Sequence, residues 1–283
     1  MPPEPLSWLV REPGGAAWLA NLDDLVREMA AEWSLELGDP FRSAYVSWAA
    51  PARRVDGTDA VLKLQFPHRE CVYEAEALRR WGGDGAVRLL AHDSVRHALL
   101  LERCVPGEHL ATKRGPDALD VLVGLLPRLW IPADEPFDRL SDEAARWCAR
   151  LGDPARTVGV AADLVDVAIG VLRELGPSQT DQVLLHQDLH GENVLASARE
   201  PWLVIDPKPL VGERAFSAAP IVRSSEFGRS RVDVISRLDR LCGDLELDRE
   251  RAVGWTIGQT VAWAPDSAEP AWGDQLVRWL LDA

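Results

Sequence analysis

An α+β chain of two lobes, a small β-rich one followed by a larger, mainly helical one, is the fold class that three features of the sequence predict. Short apolar stretches broken by turn residues crowd the region before Pro106-Gly107. Beyond that step, apolar residues recur mostly at helical spacing. Embedded in the helical part are three short apolar runs near 183–186, 193–196 and 202–206, which read as strands. The expected domains are therefore 1–104, an N-terminal lobe of one helix plus antiparallel sheet, and 105–283, a helical C-terminal lobe. The segment from Glu102 to Gly107 serves as the natural hinge.

The elements follow in order. From Ala16 to Leu37, the residues Leu19, Leu22, Leu25, Val26, Met29 and Trp33 mark an amphipathic helix. Ala44 to Trp48 and Ala60 to Phe66 are apolar stretches separated by Pro51 and the turn pair Asp56-Gly57. They read as a hairpin whose second strand is interrupted by Lys63. A helix from His68 to Trp81 stops at Gly82-Gly83, and strands follow at Ala86 to Ala91 and Ala98 to Arg103. Helices are expected near 117–130, 138–151 and 159–175, and again after the three short strands up to the end. Trp255, Trp263, Trp272 and Trp279 lie in that tail, where contacts between helices are their expected use.

Composition narrows the function. A chain of 283 residues, 47% hydrophobic and 27% charged, is globular and long enough for a full core. No segment approaches the roughly 18 uninterrupted apolar residues of a membrane span. The start, Met1-Pro2-Pro3-Glu4-Pro5, lacks the features of a secretory signal, so a cytoplasmic location is expected. Cys71, Cys104, Cys148 and Cys242 show no Cys-x-x-Cys spacing, which argues against a disulfide framework or a zinc site. A net charge of -14 opposes nucleic-acid binding and would draw in a cationic partner, although keeping the protein dispersed is reason enough for it. Lysine occurs only at positions 63, 113 and 208, so each one asks for an explanation.

The chemistry concentrates in His186-Gln187-Asp188-Leu189-His190-Gly191-Glu192-Asn193, bracketed by apolar strands and followed by Leu203-Val204-Ile205-Asp206-Pro207-Lys208. Phosphoryl transfer needs a carboxylate to orient and deprotonate an acceptor hydroxyl, and oxygen ligands for magnesium. Asp188 suits the first task, Asn193 and Asp206 the second. The spacing of five from Asp188 to Asn193 equals that of the protein-kinase catalytic loop. His186 and His190 do not make a zinc hydrolase, because no third ligand cluster accompanies them. His186 is expected to fix the loop by hydrogen bonding, and His190 to lie near the metal site without holding the ion.

These motifs resemble the aminoglycoside phosphotransferases, the antibiotic-kinase branch of the protein-kinase-like fold, whose catalytic loop commonly reads His-Gly-Asp-Leu-His-x-x-Asn. Asp206-Pro207-Lys208 with the later Gly212-Glu213 is most similar to the group of streptomycin 6-phosphotransferases and hydroxyurea phosphotransferases. The resemblance implies ATP and Mg2+ as cofactors, with Asp188 catalytic, Asn193 and Asp206 on the metal, and Lys63 on the nucleotide phosphates. It gives the lysine's helical partner as Glu74, with Glu76 the rival. Glu102, Arg103 and Cys104 stand where a hinge holds adenine through backbone groups. Glu192, Lys208, Glu226 and Asp233 are candidate acceptor-side residues by position, and Lys208 could equally contact phosphate or pair with a loop acid.

Two departures from the family pattern stand out: Gln187 replaces the glycine usual before the catalytic aspartate, and Ser217 replaces a bracing aspartate. The glycine-rich phosphate loop of protein kinases is missing too, as it often is in antibiotic kinases, leaving Ser43, Ser47 or backbone groups for that contact. The expected function is transfer of the γ-phosphate of ATP to a hydroxyl of a small cationic aminocyclitol, streptomycin first, conferring resistance. The alternatives are a kinase for hydroxyurea or another small metabolite, and a catalytically impaired nucleotide-binding homologue.

Overall fold

A computed structural model describes residues 4–42, 46–113, 116–267 and 269–283. The chain divides into two compact units, Met1–Gly107 with Ser197–Arg199, and Glu108–Ala196 with Glu200–Ala283. Residues 197–199, assigned from sequence to the helical lobe, pack with the first unit. Arg199 is bound there by the Glu102 carboxylate, at 2.7 and 2.9 Å, and by the carbonyls of Gly83 and Ala86.

The first unit is a five-stranded antiparallel sheet with helices. Helix α1 (Gly15–Glu32) precedes strands β1 (Leu35–Leu37), β2 (Ser47–Arg54) and β3 (Asp59–Gln65). Helix α2 (Glu74–Trp81) comes next, then β4 (Leu89–Asp93) and β5 (Ala98–Glu102). The strand order is β1-β2-β3-β5-β4. Leu22, Leu25 and Met29 of α1 pack on Leu62, Leu64 and Leu100 of the sheet, which is the amphipathic stripe at work.

Three sequence expectations are corrected here. The first helix ends at Glu32, because Ser34 takes a left-handed backbone (φ 51) and Leu35–Leu37 turns onto β2 as a strand. Its leucines at 35 and 37 satisfy period two as readily as the helical period. Pro51 does not break the hairpin but pairs with Val61 inside β2. In an antiparallel strand a residue's N–H and C=O point to the same side. The Pro51 carbonyl accepts from Gly38, so its missing N–H faces away from β3. The expected helix from His68 is a short 3-10 turn at Arg69–Cys71, with α2 proper starting at Glu74.

Strand β6 (Pro106–His109) leads into the second unit, whose helices are α3 (Pro116–Leu129), α4 (Leu140–Leu151), α5 (Ala162–Leu175), α6 (Ala218–Arg223), α7 (Arg231–Asp244), α8 (Arg249–Trp263) and α9 (Pro270–Leu281). Helix α8 is buried on nearly all sides, including Trp255, Thr256 and Gln259, and so forms the axis of this unit. Between the helices lie β7 (Asp138–Arg139), β8 (Val183–Leu185), β9 (Val194–Ser197), β10 (Trp202–Val204) and β11 (Leu210–Gly212), of which β7 and β11 are not foreseen from sequence. Strands β9 and β10 form an antiparallel hairpin, while β7, β11 and β8 make a second small sheet. No helix among the described residues is long and apolar enough to cross a membrane.

Candidate active site

In the first unit, Lys63 on β3 projects its Nζ to both carboxylate oxygens of Glu74, at 2.8 and 2.7 Å. Gln65, two residues along the same face of β3, donates to Glu74 at 2.5 Å. Lys63 is 7% and Glu74 1% exposed, so this is a buried ion pair with its carboxylate fully engaged. Glu76 instead pairs with Arg79 and Arg80 on the helix surface.

At the end of β5, the Glu102 carboxylate is occupied by Arg199 and by the Arg88 amide, which holds it below the usual carboxylate range although burial pushes the other way. Its side chain therefore braces the strand end. Arg103 and Cys104 lie between β5 and β6, outside both strands. Burial pushes the Cys104 thiol up to about 11 and keeps it protonated. Ser43 lies outside the described residues, and Ser47 opens β2, paired with Gln65.

In the second unit the loop after β8 is built on hydrogen bonds. His186 is buried, and its Nε2 donates to the Ile205 carbonyl at 2.9 Å while its Nδ1 accepts from the Asp188 amide at 3.3 Å. That pairing defines the neutral Nε2–H tautomer, and burial pushes the ring down to about 4. Gln187 adopts φ 65, the left-handed conformation in which glycine is cheapest, and its carbonyl accepts from Gln259 of α8 at 2.9 Å. The Ser217 hydroxyl accepts from the Trp130 indole at 2.9 Å, while Gln259 ties the loop through the Gln187 carbonyl.

Asp188 carries a cation on each oxygen, with Lys208 Nζ 3.0 Å from Oδ2 and Arg223 Nη2 3.3 Å from Oδ1. Burial alone would raise this carboxyl, but Lys208 and then Arg223 outweigh it and hold it at about 2. Both cations lie over the Trp263 ring, Lys208 at 4.8 Å and Arg223 at 4.4 Å from its centroid. Lys208 thus pairs with the loop acid, one of the two contacts expected of it.

Asn193 Nδ2 donates to the Asp188 carbonyl at 2.8 Å, which leaves its Oδ1 as an acceptor. Because Val194 faces Val204 and the Ile205 amide donates to the Asn193 carbonyl at 2.9 Å, Asp206 directly follows the residue opposite Asn193. Asp206 is exposed and has φ 55. An amide oxygen and a carboxylate are hard donors that fit magnesium, an ion that takes few protein ligands and keeps phosphate and water oxygens. Zinc is a poor fit. His186 and His190 are engaged elsewhere, and no group of three or more His, Cys, Asp or Glu residues poised for a metal occurs among the described residues.

Two acceptor-side candidates are corrected. Glu226 is committed to the loop: one oxygen takes His190 Nδ1 at 2.6 Å and the other the Gly191 amide at 2.8 Å. Burial opposes the charge on each, but their contact raises His190 and lowers Glu226. A Cβ on Gly191 would lie 2.6 Å from Glu226 Oε2 and 2.7 Å from the Ala111 amide, so the loop passes too close for any other residue. Asp233 caps α7 in a reciprocal box with Ser230 and stays on the surface. Glu192 is exposed, with His109 Nδ1 at 2.7 Å from its carbonyl and 3.4 Å from its carboxylate. Glu213 of the Gly-Glu pair is 1% exposed and bound by Arg251 at 2.7 and 2.8 Å and by Trp255, an internal tie of the unit.

Arg223 and Gln259 were not singled out by sequence. No motif marks an arginine among 31 basic residues or a glutamine in a buried helix. Trp263 is one of the tail tryptophans expected first to pack between helices, with the lining of an acceptor pocket the other use open to one of them.

Residues 33–272 match the model of the aminoglycoside/hydroxyurea antibiotic resistance kinases. A streptomycin 6-kinase of Streptomyces griseus is 41% identical over 257 residues, covering 87% of this chain and 82% of that one. A hydroxyurea phosphotransferase of Kitasatospora aureofaciens is 38% identical over 274 residues, covering 91% and 78%. Among solved structures, choline kinase LicA from Streptococcus pneumoniae aligns with a TM-score of 0.66 at 15% identity, covering 93% of this chain and 100% of that one. Aminoglycoside phosphotransferase APH(4)-Ia in complex with ADP and hygromycin B aligns at 0.62 with 13% identity, covering 90% and 97%. The fold is the protein-kinase-like one.

Proposed function

Because the chain belongs to the aminoglycoside/hydroxyurea antibiotic resistance kinase family, we propose that it transfers the γ-phosphate of ATP to a hydroxyl of an aminocyclitol antibiotic, streptomycin first among them, and so confers resistance. Hydroxyurea is the second acceptor, supported by the relative at 38% identity. The observation that carries the reading is the Asp188 loop: an ionised carboxylate whose backbone carbonyl is tied to Asn193, next to a hairpin that Asp206 follows.

In this reading the Lys63–Glu74 pair grips nucleotide phosphates, with Glu74 and Gln65 fixing where the ammonium points. Backbone groups at Arg103 and Cys104 receive the adenine. Asn193 and Asp206 would hold Mg2+, which supplies charge neutralisation on the phosphates. A carboxylate held at about 2 is a weak base, so Asp188 acts mainly by orienting the acceptor O–H and taking its proton late, as a loose phosphoryl-transfer transition state allows. Dependence on ATP supports a cytoplasmic place of action.

The test is incubation with ATP, Mg2+ and streptomycin or hydroxyurea, with products read by mass spectrometry. Phosphorylated streptomycin is expected, and Asp188→Asn should lose roughly a thousandfold in kcat. If neither compound is phosphorylated the acceptor reading fails, and full activity in Asp188→Asn would defeat the mechanism.

A further inference from the structure

We propose that Arg223 is a positioning residue for Asp188: together with Lys208, and shelved with it on the Trp263 ring, it locks the plane of the carboxylate that orients the acceptor. The proposal rests on the phosphotransferase reading of the same loop.

The torsion that turns an aspartate carboxylate about Cβ–Cγ is soft and broad. Lys208, 3.0 Å from Oδ2, fixes one oxygen, and His190 Nε2 stands 3.9 Å from Oδ1, beyond hydrogen-bond distance. Arg223 on Oδ1 supplies a second hydrogen-bonded point, and both cations lie against the Trp263 ring, 4.8 and 4.4 Å from its centroid. With Lys208 on Oδ2 and Arg223 on Oδ1, where His190 Nε2 also stands at 3.9 Å, the remaining lone pairs point in set directions, so an acceptor O–H meets a defined partner.

Arg223 is itself fixed. It ends α6, and its carbonyl accepts from the Trp272 indole of α9 at 2.9 Å. Buried Arg237 donates to the carbonyls on either side, Val222 at 2.6 Å and Ser224 at 3.0 Å, and to Phe227 at 2.9 Å. The same short segment delivers Glu226 to His190 and Gly191, so one tied-down stretch reaches the catalytic loop at two places.

The Arg223 guanidinium is aimed at the base and the ring. Its Nε is buried without a hydrogen-bond partner among the described residues, as is that of Arg237, which ties the neighbouring backbone.

The experiment compares wild type, Arg223→Ala and Arg223→Lys with whichever acceptor the wild type phosphorylates. Arg223→Ala should lower kcat about a hundredfold, with KM for ATP and the melting midpoint little changed, and Arg223→Lys should recover about a tenth of the activity or more. Millimolar guanidinium chloride should restore part of the Arg223→Ala kcat, because the gap between Asp188 and Trp263 accepts the free cation. A kcat within threefold of wild type in Arg223→Ala, or a loss that follows melting and resists guanidinium, would overturn the proposal. If the wild type phosphorylates no acceptor, the functional reading fails by itself, and crystal structures decide the clamp. In Arg223→Ala the Asp188 carboxylate should turn, and soaked guanidinium should bind between it and Trp263. A carboxylate left in place without guanidinium would refute the clamp.

Discussion

Replacing Glu74 by glutamine tests the phosphate-gripping half of the site through stability as well as rate. Glu74 and Lys63 are 1% and 7% exposed, and their charged atoms are 2.7 Å apart. At an effective dielectric constant near 20, that separation corresponds to about 6 kcal/mol of attraction, much of it offset by desolvation. Removing one partner strands the other as a buried charge, which costs about 3–5 kcal/mol. The glutamine amide also presents a donor where Gln65 already donates. A midpoint lowered on the order of 10 °C follows, taking about 2–4 °C per kcal/mol for a chain of this size. Glu76→Gln is the internal control, since that side chain is 29% exposed and pairs with arginines on the helix surface. It should shift stability by less than about 0.5 kcal/mol. Thermal unfolding followed by circular dichroism, with KM for ATP measured alongside, reads both effects. An unchanged midpoint in Glu74→Gln, or a larger effect from Glu76→Gln, would refute the pairing.

Two further substitutions test the catalytic loop. Burial holds His186 neutral at about 4 against about 6.5 in an unfolded chain. The unfolded state therefore takes up the proton first as pH falls, and about 3 kcal/mol of stability is lost between about pH 6.5 and pH 4; His186→Gln should flatten that slope in urea titrations. Gln259→Leu leaves the Gln187 carbonyl unpaired, which should cost about 1–3 kcal/mol by calorimetry and lower kcat more than KM as the loop loosens.

What sequence could reveal of this site follows from how local each contact is. Asp188 and Asn193 belong to one short loop, so their spacing survives as a motif, and the Asn193 contact to the Asp188 carbonyl spans only that loop. Lys63 and Glu74 were legible through family register, whereas charge alone made Glu76 an equal choice. Glu226 and Asp233 show where charge misleads: a carboxylate counts as substrate-facing only if backbone amides and caps have not used it, and one holds Gly191 while the other caps α7. Arg223 and Gln259 reach the loop from 35 and 72 residues away, with no periodicity or spacing to announce them. The fold was read on the same terms. Helices with wide apolar stripes were placed well, while Leu35–Leu37 and Pro51 depended on pairing with distant strands.

The scarcity of lysine now has a physical reading, and it leads to a last prediction. Two of the three lysines sit in the proposed machinery, each already paired with a carboxylate, Lys63 with Glu74 and Lys208 with Asp188. Local positive charge at the site is therefore largely balanced, while the whole chain carries -14. The long-range field must repel ATP and attract a cationic acceptor. Salt screens such fields, with a Debye length of about 10 Å at 0.1 M and about 3 Å at 1 M, but weakens close buried pairs much less. Raising ionic strength across that range should thus speed ATP capture and slow capture of a cationic acceptor, moving the two kcat/KM values in opposite directions by a few-fold. For hydroxyurea, which is uncharged, only the ATP trend should appear. If kcat/KM for ATP falls with salt as steeply as that for streptomycin, local cations rather than the net field govern nucleotide capture, and the balanced-pair argument is wrong.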